Sequence, residues 1–458
     1  MDDAEVEELF GTAGIRGDVR TRVTPAFALR VASAAGRDAG EFVVGRDGRE
    51  SGPALASAVE AGLTAAGARV VRVGQVPTPA LAFASLGRQG VMVTASHNPP
   101  SDNGLKLFEN GQEYDREAER RVERRVADPD PPAEWTDWAG SERVDPLARY
   151  REAVVDYARS YGTSLEGLRV AVDCGNGMAS VATPRVLAAM GADVVGLNDN
   201  VDGHFPGRES KPTPESLADL RAFLAEDDAV LGIGHDGDAD RIVLLDGDGE
   251  VVHEDTVVAI LAERYVRGSQ AGDPVVVTTP NASARIDERV RAAGGRVERV
   301  RLGALHEGVV AAYGSGGPET AVVFAAEPWK HIHPAFGPWI DGVASAAVLS
   351  RLVAVGGLAS LREPVTERPY RKASVPCPDE HKRSVMATLE TTLPDAFSEA
   401  ALDTEHGVRL ERPDGSWLLV RPSGTEPYVR LYAESDDVDE LVGRGRELVE
   451  AAVERAGR

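Results

Sequence analysis

The stretch L-R-V-A-V-D-C-G-N-G-M-A-S-V-A-T-P-R-V-L-A-A-M-G-A-D-V-V-G-L, residues 168–197, decides the fold class. It begins with a short apolar strand that ends at Asp173 and then turns at the glycines of 175–177. A helix follows to Met190, and a second strand covers 193–197. Strand–helix–strand units with short connections are typical of parallel sheets covered by helices. The stretch therefore predicts an α/β fold.

The same unit occurs twice more, and the end of the chain differs from it. The repeated units pair strands 41–45 and 69–73 around a helix over 52–66, and strands 274–279 and 296–302 around a helix that ends at 293. The last hundred residues contain a hairpin that turns at 413–415, a strand over 428–433 and a helix starting near Ser435 and Asp436. We predict three related mixed-sheet α/β domains, 1–150, 151–249 and 250–361, and a smaller α+β domain, 362–458.

The composition of the chain is strongly acidic. Its 458 residues include 74 acidic and 50 basic ones, which gives a formal net charge of −24. This charge argues against nucleic acid or an anionic membrane as a partner. Only five of the basic residues are lysine: Lys106, Lys211, Lys330, Lys372 and Lys382. An acidic surface on which arginine replaces lysine predicts a halophilic protein in a high-salt cytosol.

The cysteines and the apolar stretches indicate the compartment. Cys174 and Cys377 are too few for a disulfide framework, so we expect buried thiols in a reducing environment. No basic, apolar leader is evident at the amino terminus. The longest apolar stretch, 342–361, is interrupted by Arg351 and predicts a helix that covers a sheet, not a membrane span. We expect a cytoplasmic protein.

The motif T-A-S-H-N-P-P at 94–100 follows an apolar strand, residues 91–93. Its prolines and Asn98 predict a stiff, non-helical turn directly after the strand. Ser96, flanked by His97, is then well placed to act as an exposed nucleophile. Taken alone, the motif is equally compatible with a well-formed turn that has no chemical role.

The motif D-G-D-A-D-R at 236–241 also follows an apolar strand, residues 229–233. Asp236, Asp238 and Asp240 offer oxygen ligands that suit Mg²⁺, and Arg241 beside them suits a phosphate group. A solvated acidic turn is the alternative. An EF-hand is excluded, because its sixth position would be Arg241 rather than glycine and its twelfth would be Gly247 rather than glutamate.

The segment R-P-S-G-T-E-P-Y-V-R at 421–430 collects donors suited to a phosphate dianion. Arginine guanidinium groups, hydroxyls and exposed backbone N–H groups bind such an anion well. The candidates are Arg421, Ser423, Gly424, Thr425 and Arg430. A hairpin end with two incidental arginines is the alternative.

Together these segments resemble the α-D-phosphohexomutase superfamily, which includes phosphoglucomutase, phosphomannomutase and phosphoglucosamine mutase. Further matching motifs are F-G-T-A-G-I-R-G at 10–17, G-R-D-G-R-E-S-G at 45–52, D-N-G-L-K at 102–106 and D-C-G-N-G at 173–177. The resemblance implies four domains around one central cleft. It also implies an enzyme that interconverts hexose 1-phosphate and hexose 6-phosphate through a phosphoserine at Ser96 and a hexose 1,6-bisphosphate.

The resemblance assigns roles to the motifs. One Mg²⁺ per chain would be held by Asp236, Asp238, Asp240 and a phosphoserine oxygen of Ser96. The 421–430 donors would hold the non-reacting phosphate of the sugar phosphate. Lys106, Arg16 and His331 are the candidates for proton transfer. We expect Lys106 to be the base if crowding among cations lowers its pKa, and Arg16 to stabilise charge. His97 and Asn98 would support the loop, and contact with a phosphate is the alternative for His97.

The predicted sugar-binding loop, F-A-A-E-P-W-K-H-I at 324–332, departs from the family pattern G-E-x-S-G-H. Glu327 and His331 match that pattern, but Trp329 and Lys330 replace its Ser-Gly pair. Trp329 would either stack on a sugar ring or pack locally, and Lys330 would reach a phosphate. Arg241 is a further candidate for contact with the sugar. Leu305 stands where relatives usually carry lysine. The sugar thus stays open among glucose, mannose and glucosamine phosphates, with a pentose phosphate as an outsider.

Two other functions are compatible with the same residues. A metal-dependent sugar-phosphate phosphatase would use the same ligands with water as the acceptor, and it would release inorganic phosphate. A catalytically silent sugar-phosphate sensor would bind without turnover, but such a protein has no use for a phosphorylatable Ser96. The sequence leaves both a monomer and a homodimer open.

Overall fold

The computed structural model of the chain describes residues 8–11, 14–423 and 426–457. These residues form two compact units. The first unit contains the described residues up to Val257 and those of Val323–Arg362. The second unit contains Val258–Val322 and the described residues from Glu363 onward.

The first sheet lies in the first unit and is mixed. Its elements are β1 (Ile15–Asp18), α1 (Pro25–Ala35), β2 (Glu41–Arg46), α2 (Gly52–Ala65), β3 (Arg69–Gln75), α3 (Thr78–Ala84), β4 (Gln89–Val93), β5 (Asp102–Glu109), β6 (Gln112–Glu113), α4 (Arg116–Ala127), β7 (Ser141–Arg143) and α5 (Leu147–Ala158). The strand order is β1-β5-β4-β2-β3-β7, and β6 pairs with β5. The strands β2, β3 and β4 are parallel, whereas β5 runs antiparallel to β4. The predicted unit over 41–73 is confirmed.

The second sheet, also in the first unit, contains the stretch that defined the fold class. Its elements are β8 (Arg169–Asp173), α6 (Thr183–Ala189), β9 (Asp193–Leu197), α7 (Ala218–Glu226), β10 (Leu231–His235) and β11 (Ile242–Asp246). The order is β11-β10-β8-β9, with β8 parallel to both β9 and β10. The predicted helix is interrupted: a short 3₁₀ turn over Met178–Val181 precedes α6. Pro184 at the start of α6 explains the break, because proline suits a first helical turn and not a helix interior.

The third strand–helix–strand motif lies in the second compact unit, and the segment after it belongs to the first compact unit. The elements are α8 (Glu254–Gly268), β12 (Asp273–Thr278), α9 (Ala284–Ala292), β13 (Arg296–Arg299), α10 (Leu305–Ser315), β14 (Thr320–Glu327), β15 (Lys330–Ile332) and α11 (Gly342–Arg362). The strands β12 and β13 are parallel, as predicted, but β13 ends three residues earlier than expected. In the first unit, β14 and β15 form an antiparallel hairpin.

The apolar stretch after residue 341 forms α11 and packs against β10 and β11, as predicted. Its helical geometry is interrupted at Gly356 and Gly357, the second of which has φ +83°. Among the described residues this helix has the length and composition to cross a membrane, and 67% of its most apolar window is buried within the protein. Such burial is also found in the core helix of a soluble protein.

The end of the chain forms an antiparallel sheet with two helices, all within the second unit. The elements are β16 (Tyr370–Pro376), α12 (Asp379–Ala396), β17 (Ala401–Asp403), β18 (Val408–Glu411), β19 (Trp417–Pro422), β20 (Tyr428–Glu434) and α13 (Val438–Ala456). The order is β16-β20-β19-β18-β17. The predicted hairpin is confirmed, but α13 starts later than expected. The hydroxyl of Ser435 accepts the N–H of Asp437 in a turn at 3.2 Å, and Asp437 precedes the helix without a side-chain cap.

These sheets confirm a multi-domain mixed α/β fold with a C-terminal α+β part. The four domain boundaries stay predictions.

Candidate active site

Ser96 lies directly after β4, in the first unit, on a loop that holds it in the left-handed region at φ +51°. Its N–H donates to the hydroxyl of Thr94 at 2.9 Å, and its Oγ donates to Asp236 Oδ2 at 2.6 Å. The side chain is fully buried, so the prediction of an exposed nucleophile is wrong. The D-G-D-A-D-R segment at 236–241, here called the metal motif, covers it: a Cβ at Gly237 would approach the Ser96 carbonyl to 2.8 Å.

Arg49 holds the serine loop in place, and the sequence analysis did not single it out. Its guanidinium is completely buried and donates all five of its N–H groups. The acceptors are the carboxylate of Asp47 and the backbone carbonyls of Ser96, Asn98, Pro99 and Asp102, at 2.6–3.1 Å. The motif G-R-D-G-R-E-S-G was the available signal, but the motif does not show which loop its second arginine contacts.

Three buried carboxylates follow β10. The ligand atoms of Asp236, Asp238 and Asp240 lie within 4.8 Å of one another. Among the described residues, Asp238 Oδ1 and Asp240 Oδ1 are buried without a hydrogen-bond partner. Burial, and then the neighbouring carboxylates, raise the pKa of Asp236 well above its usual range. Clustered carboxylate oxygens with unused lone pairs fit a hard divalent cation such as Mg²⁺.

Lys106, on β5, points into this carboxylate cluster. Its Nζ is 2.7 Å from Asp240 Oδ2 and 3.3 Å from Asp238 Oδ2, and the ammonium is buried. Burial lowers the pKa of Lys106, but the attraction of Asp238, Asp240 and Glu113 outweighs it, so the pKa is raised. The premise that neighbouring cations lower this pKa is therefore wrong, because the closest charged groups are anions.

Two further side chains that the sequence analysis missed fix the metal motif. The hydroxyl of Thr78 donates to Asp238 Oδ2 at 2.6 Å, and its N–H donates to the Asp238 carbonyl at 2.9 Å. The ring of His235 bridges the Arg241 carbonyl at 2.7 Å and the hydroxyl of Thr183 at 3.0 Å. These contacts fasten both ends and the middle of the loop, which explains why three like charges stay together.

The cations Arg16 and Arg241 face the same region with unused donors. In the described part of the chain, Arg16 Nε, Arg16 Nη2 and Arg241 Nε are buried without hydrogen-bond partners. Arg241 Nε is 3.8 Å from Asp236 Oδ2 and 3.9 Å from Asp240 Oδ1. Burial, followed by the charges of Arg241 and Arg16, lowers the pKa of His97 to about 3. A neutral His97 beside two arginines leaves the guanidinium groups as the anion-binding cations.

The predicted loop supports differ in their contacts. Nδ1 of His97 is 3.4 Å from Ser96 Oγ, which makes at most a long hydrogen bond. The Asn98 side chain donates to Asp102 Oδ2 at 3.0 Å, and its N–H donates to the Ala95 carbonyl at 3.1 Å. Asn98 therefore closes the turn, whereas His97 lies beside the reactive hydroxyl.

All the predicted sugar-binding residues except Arg241, which lies beside Asp236 and Asp240, are on the β14–β15 hairpin. Lys330 Nζ is 3.1 Å from Glu327 Oε1. Trp329 is partly buried and packs on an apolar cluster that includes Leu217, so local packing is the alternative that the structure supports. His331 is buried, with Nδ1 2.9 Å from Ser345 Oγ, and burial lowers its pKa to about 3. A proton-transfer role for His331 does not fit this placement.

The predicted phosphate-binding segment lies in the second unit. Arg421 on β19 faces Arg430 on β20 in register, and Arg430 forms an ion pair with Glu426. Arg421 Nε is buried without a hydrogen-bond partner among the described residues. Lys382, which the sequence analysis missed, donates to the carbonyls of Ser423 and Glu426 at 2.6 and 2.7 Å. Gly424 and Thr425 lie outside the described residues.

Comparison with known families tests the resemblance. Models described as phosphoglucomutase/phosphomannomutase match the chain in three parts: alpha/beta/alpha domain I over residues 7–132, alpha/beta/alpha domain II over 148–249, and the C-terminal domain over 375–451. These matches cover more than half of the chain. The chain belongs to the α-D-phosphohexomutase superfamily.

Individual relatives of this superfamily member are similar over nearly their full length. The chain is 41% identical to the phosphopentomutase of Thermococcus kodakarensis, over 93% of this chain and 94% of the relative. It is 42% identical to the "Probable phosphoglucosamine mutase" of Methanopyrus kandleri, over 96% and 95%. A solved phosphoglucomutase/phosphomannomutase family protein from Burkholderia thailandensis superposes with a TM-score of 0.85 at 27% identity, over 98% of both chains. The superfamily member is thus a mutase, an enzyme that transfers a phosphoryl group within its substrate.

Proposed function

We propose that this mutase interconverts sugar 1-phosphates and 6-phosphates through a phosphorylated Ser96 and a sugar 1,6-bisphosphate. The observation that carries the proposal is the hydrogen bond of 2.6 Å from Ser96 Oγ to Asp236, inside a buried cluster of carboxylates and cations. A hydroxyl at this position is next to the groups that neutralise a transferring phosphoryl group.

The transfer is balanced within the site. In the first half-reaction, the bond between phosphorus and Ser96 Oγ breaks while a bond forms between phosphorus and the free hydroxyl of the sugar phosphate. The proton of that hydroxyl ends on Ser96 Oγ, whose hydroxyl forms a hydrogen bond to Asp236 Oδ2 in the structure. The bisphosphate then reorients. In the second half-reaction the bond between its other phosphorus and the sugar oxygen breaks, a bond between that phosphorus and Ser96 Oγ forms, and the serine proton ends on the released sugar hydroxyl.

The residues of the chain supply binding and charge around this transfer. Asp236, Asp238 and Asp240 would hold Mg²⁺, which neutralises charge on the phosphoryl group when it is bound. Lys106 keeps the carboxylates in place through its contacts of 2.7 and 3.3 Å. Arg16 and Arg241 offer their unused donors to phosphate oxygens. The phosphate-binding role of the 421–430 segment stays a prediction for the second unit.

The relatives of the chain favour the mutase over the two alternatives. Two that are similar over nearly their full length are named as a phosphopentomutase and a probable phosphoglucosamine mutase, not as phosphatases. A silent sensor would need no hydroxyl directed at Asp236 by a backbone in the left-handed region. The cytoplasmic location, the high-salt setting and the monomeric or homodimeric state stay predictions.

The test is phosphorus NMR of the protein in concentrated KCl with Mg²⁺ and a trace of sugar 1,6-bisphosphate. Glucose, mannose, glucosamine and ribose 1-phosphates are offered separately, since relatives include both a phosphopentomutase and a phosphoglucosamine mutase. We expect the 1-phosphate signal to convert into a 6-phosphate signal, or a 5-phosphate signal for ribose. Release of inorganic phosphate in proportion to substrate would identify the phosphatase, and binding without turnover would identify the sensor.

A further inference from the structure

Lys382 lies in the first turn of α12, beside the predicted phosphate-binding segment of the second unit. Its Nζ donates to the Ser423 carbonyl at 2.6 Å and to the Glu426 carbonyl at 2.7 Å. The same Nζ is 2.6 Å from Asp379 Oδ1. An ammonium has three N–H donors, so these three acceptors use its whole hydrogen-bonding capacity. Lys382 therefore acts on the protein and not as a free cation.

The two carbonyls that Lys382 contacts belong to one closed turn of the backbone. The N–H of Ser423 donates to the Tyr428 carbonyl at 2.9 Å, and the N–H of Tyr428 donates to the Glu426 carbonyl at 2.8 Å. These backbone hydrogen bonds close the base of the turn. Lys382 adds a connection from a separate helix, which ties Ser423 to Glu426 directly.

The contacts with the carbonyls are the stronger part of this arrangement. The side chain of Lys382 is only 14% exposed, whereas that of Asp379 is 76% exposed. An ion pair with so exposed a carboxylate contributes little to stability. Hydrogen bonds from an ammonium to carbonyl oxygens are stronger than those between neutral groups. We therefore assign the effect of Lys382 to Ser423 and Glu426, not to Asp379.

The segment thus separates two kinds of cation. Arg421 Nε is buried without a hydrogen-bond partner among the described residues, so it has a donor to offer to an anion. Lys382 has spent its donors on the backbone. A segment that is already held in its binding conformation loses less conformational entropy when the ligand arrives.

We propose that Lys382 is a positioning residue that holds the 421–430 segment in the conformation that binds the non-reacting phosphate of the substrate. The inference rests on the proposed mutase function and on the predicted phosphate-binding role of this segment. It assigns Lys382 to the affinity for sugar phosphates and not to the transfer at Ser96.

The test compares the affinity for sugar phosphates with the rate of transfer. Binding is measured by calorimetric titration with glucose 6-phosphate, glucosamine 6-phosphate and ribose 5-phosphate in a Ser96→Ala background, where no transfer disturbs the titration. Lys382→Met should raise the Kd of the sugar phosphate that binds best by about tenfold or more, because two charge-assisted hydrogen bonds to the segment are lost. With Ser96 present, it should raise KM to the same extent and leave kcat within about twofold, since only uniform binding is lost.

Two further variants separate the carbonyl contacts from the other properties of Lys382. Lys382→Arg keeps the charge and several donors, so it should recover most of the affinity. Asp379→Asn removes the exposed ion pair and keeps the carbonyl contacts, so it should change Kd by less than about twofold.

The titrations are repeated in concentrated KCl, because the Debye length at 1 M salt is only about 3 Å. The effect of Lys382→Met should persist there. A loss of affinity that disappears in concentrated KCl would assign the effect to long-range attraction and overturn the inference.

Hydrogen exchange of the intact protein tests the inference even if Lys382→Met does not fold. We expect a peptide that covers 421–430 to be equally protected with and without a sugar phosphate, because the N–H groups of Ser423 and Tyr428 are already hydrogen-bonded. Protection that develops only when a sugar phosphate binds would overturn the inference. An unchanged Kd in Lys382→Met, or a loss confined to kcat, would also overturn it.

The same measurements distinguish failure of the inference from failure of the proposed function. Binding of a sugar phosphate without turnover in the intact protein would reject the mutase function, while the Kd comparison would still decide the role of Lys382. Failure of all three sugar phosphates to bind would overturn both.

Discussion

The first unit buries arginines in two opposite ways. Arg49, beside the serine loop, donates every N–H of its guanidinium to protein acceptors. Arg16 and Arg241, beside the carboxylate cluster, keep buried nitrogens without hydrogen-bond partners in the described part of the chain. A buried polar group without a partner costs free energy unless a ligand satisfies it. We therefore expect the unused N–H donors of Arg16 and Arg241 to bind an anion, whereas the fully used donors of Arg49 stabilise the fold.

The largest loss of activity is expected from substitution of Ser96, which lies between Arg49 and the carboxylate cluster. Ser96→Ala should abolish incorporation of labelled phosphate from a sugar 1,6-bisphosphate and remove most turnover, because no hydroxyl remains at Asp236. Ser101→Ala is the matched control, since Ser101 is exposed on the same loop. It should label and turn over normally. Full mutase activity in Ser96→Ala would rule out the phosphoserine scheme.

The next largest loss of activity is expected from changes at the carboxylate cluster of Asp236, Asp238 and Asp240. Chelation should remove the activity of the intact enzyme, and added Mg²⁺ should restore it, because the three clustered carboxylates would share the ion. Asp238→Ala should lower kcat by about 10²-fold or more, in the range seen when one transition-state charge contact is removed. Its activity should no longer respond to Mg²⁺. A Mg²⁺ titration of both proteins decides this, and an unchanged response would contradict the metal site.

The comparison of the arginines is tested directly by removing one from each region. Arg49→Met should lower the free energy of unfolding by about 3–5 kcal/mol, because it breaks the buried ion pair with Asp47 and removes the guanidinium hydrogen bonds to four backbone carbonyls. Arg241→Met should change it by less than about 1 kcal/mol and instead raise KM about tenfold or more.

Denaturant titrations and steady-state kinetics measure these two effects. Equal losses of stability would show that unused donors do not mark a binding site. An unchanged KM in Arg241→Met would show that its donors do not reach the substrate.

The smallest effect is expected at Thr78, which touches the metal motif without being a ligand. Thr78→Val keeps the shape and removes the hydroxyl that donates to Asp238 at 2.6 Å. Such supporting contacts typically change metal affinity about 10–100-fold. We expect the Mg²⁺ needed for half-maximal activity to rise by about tenfold, with kcat at saturating Mg²⁺ nearly unchanged. A large loss of kcat at saturating Mg²⁺ would place Thr78 in the transfer step itself.

Local patterns predicted the elements of the fold well, because strand and helix signals depend on neighbouring residues. The two strands within 168–197 are found within a residue of their predicted limits. The motifs that follow β4 and β10 contact each other through the hydrogen bond from Ser96 to Asp236. The start of α13 was missed by a few residues, because the hydroxyl of Ser435 is used in a turn before the helix.

The sequence predicted several side chains that the structure brings together, but not the contacts they make. It gave Ser96 as a candidate nucleophile but not its burial, which arises when the loop after β10 covers it. It places Lys106 in the site but not beside two carboxylates, so the expected direction of its pKa was wrong. The role of Arg49 depends on carbonyls about 50 residues away. These properties come from tertiary packing, which no local pattern contains.

The Ser96 carbonyl accepts hydrogen bonds from Arg49, which follows β2 of the first sheet, and from Ser210, which precedes β10 of the second. During synthesis the serine leaves the ribosome more than a hundred residues before Ser210 and Asp236 do. A nascent or truncated chain that ends before Ser210 therefore contains Ser96 but lacks its contacts with Ser210 and Asp236. The proposed phosphorylation of Ser96 by a sugar bisphosphate would consequently require both sheets of the first unit to have folded and docked, so it would report the folding of that unit.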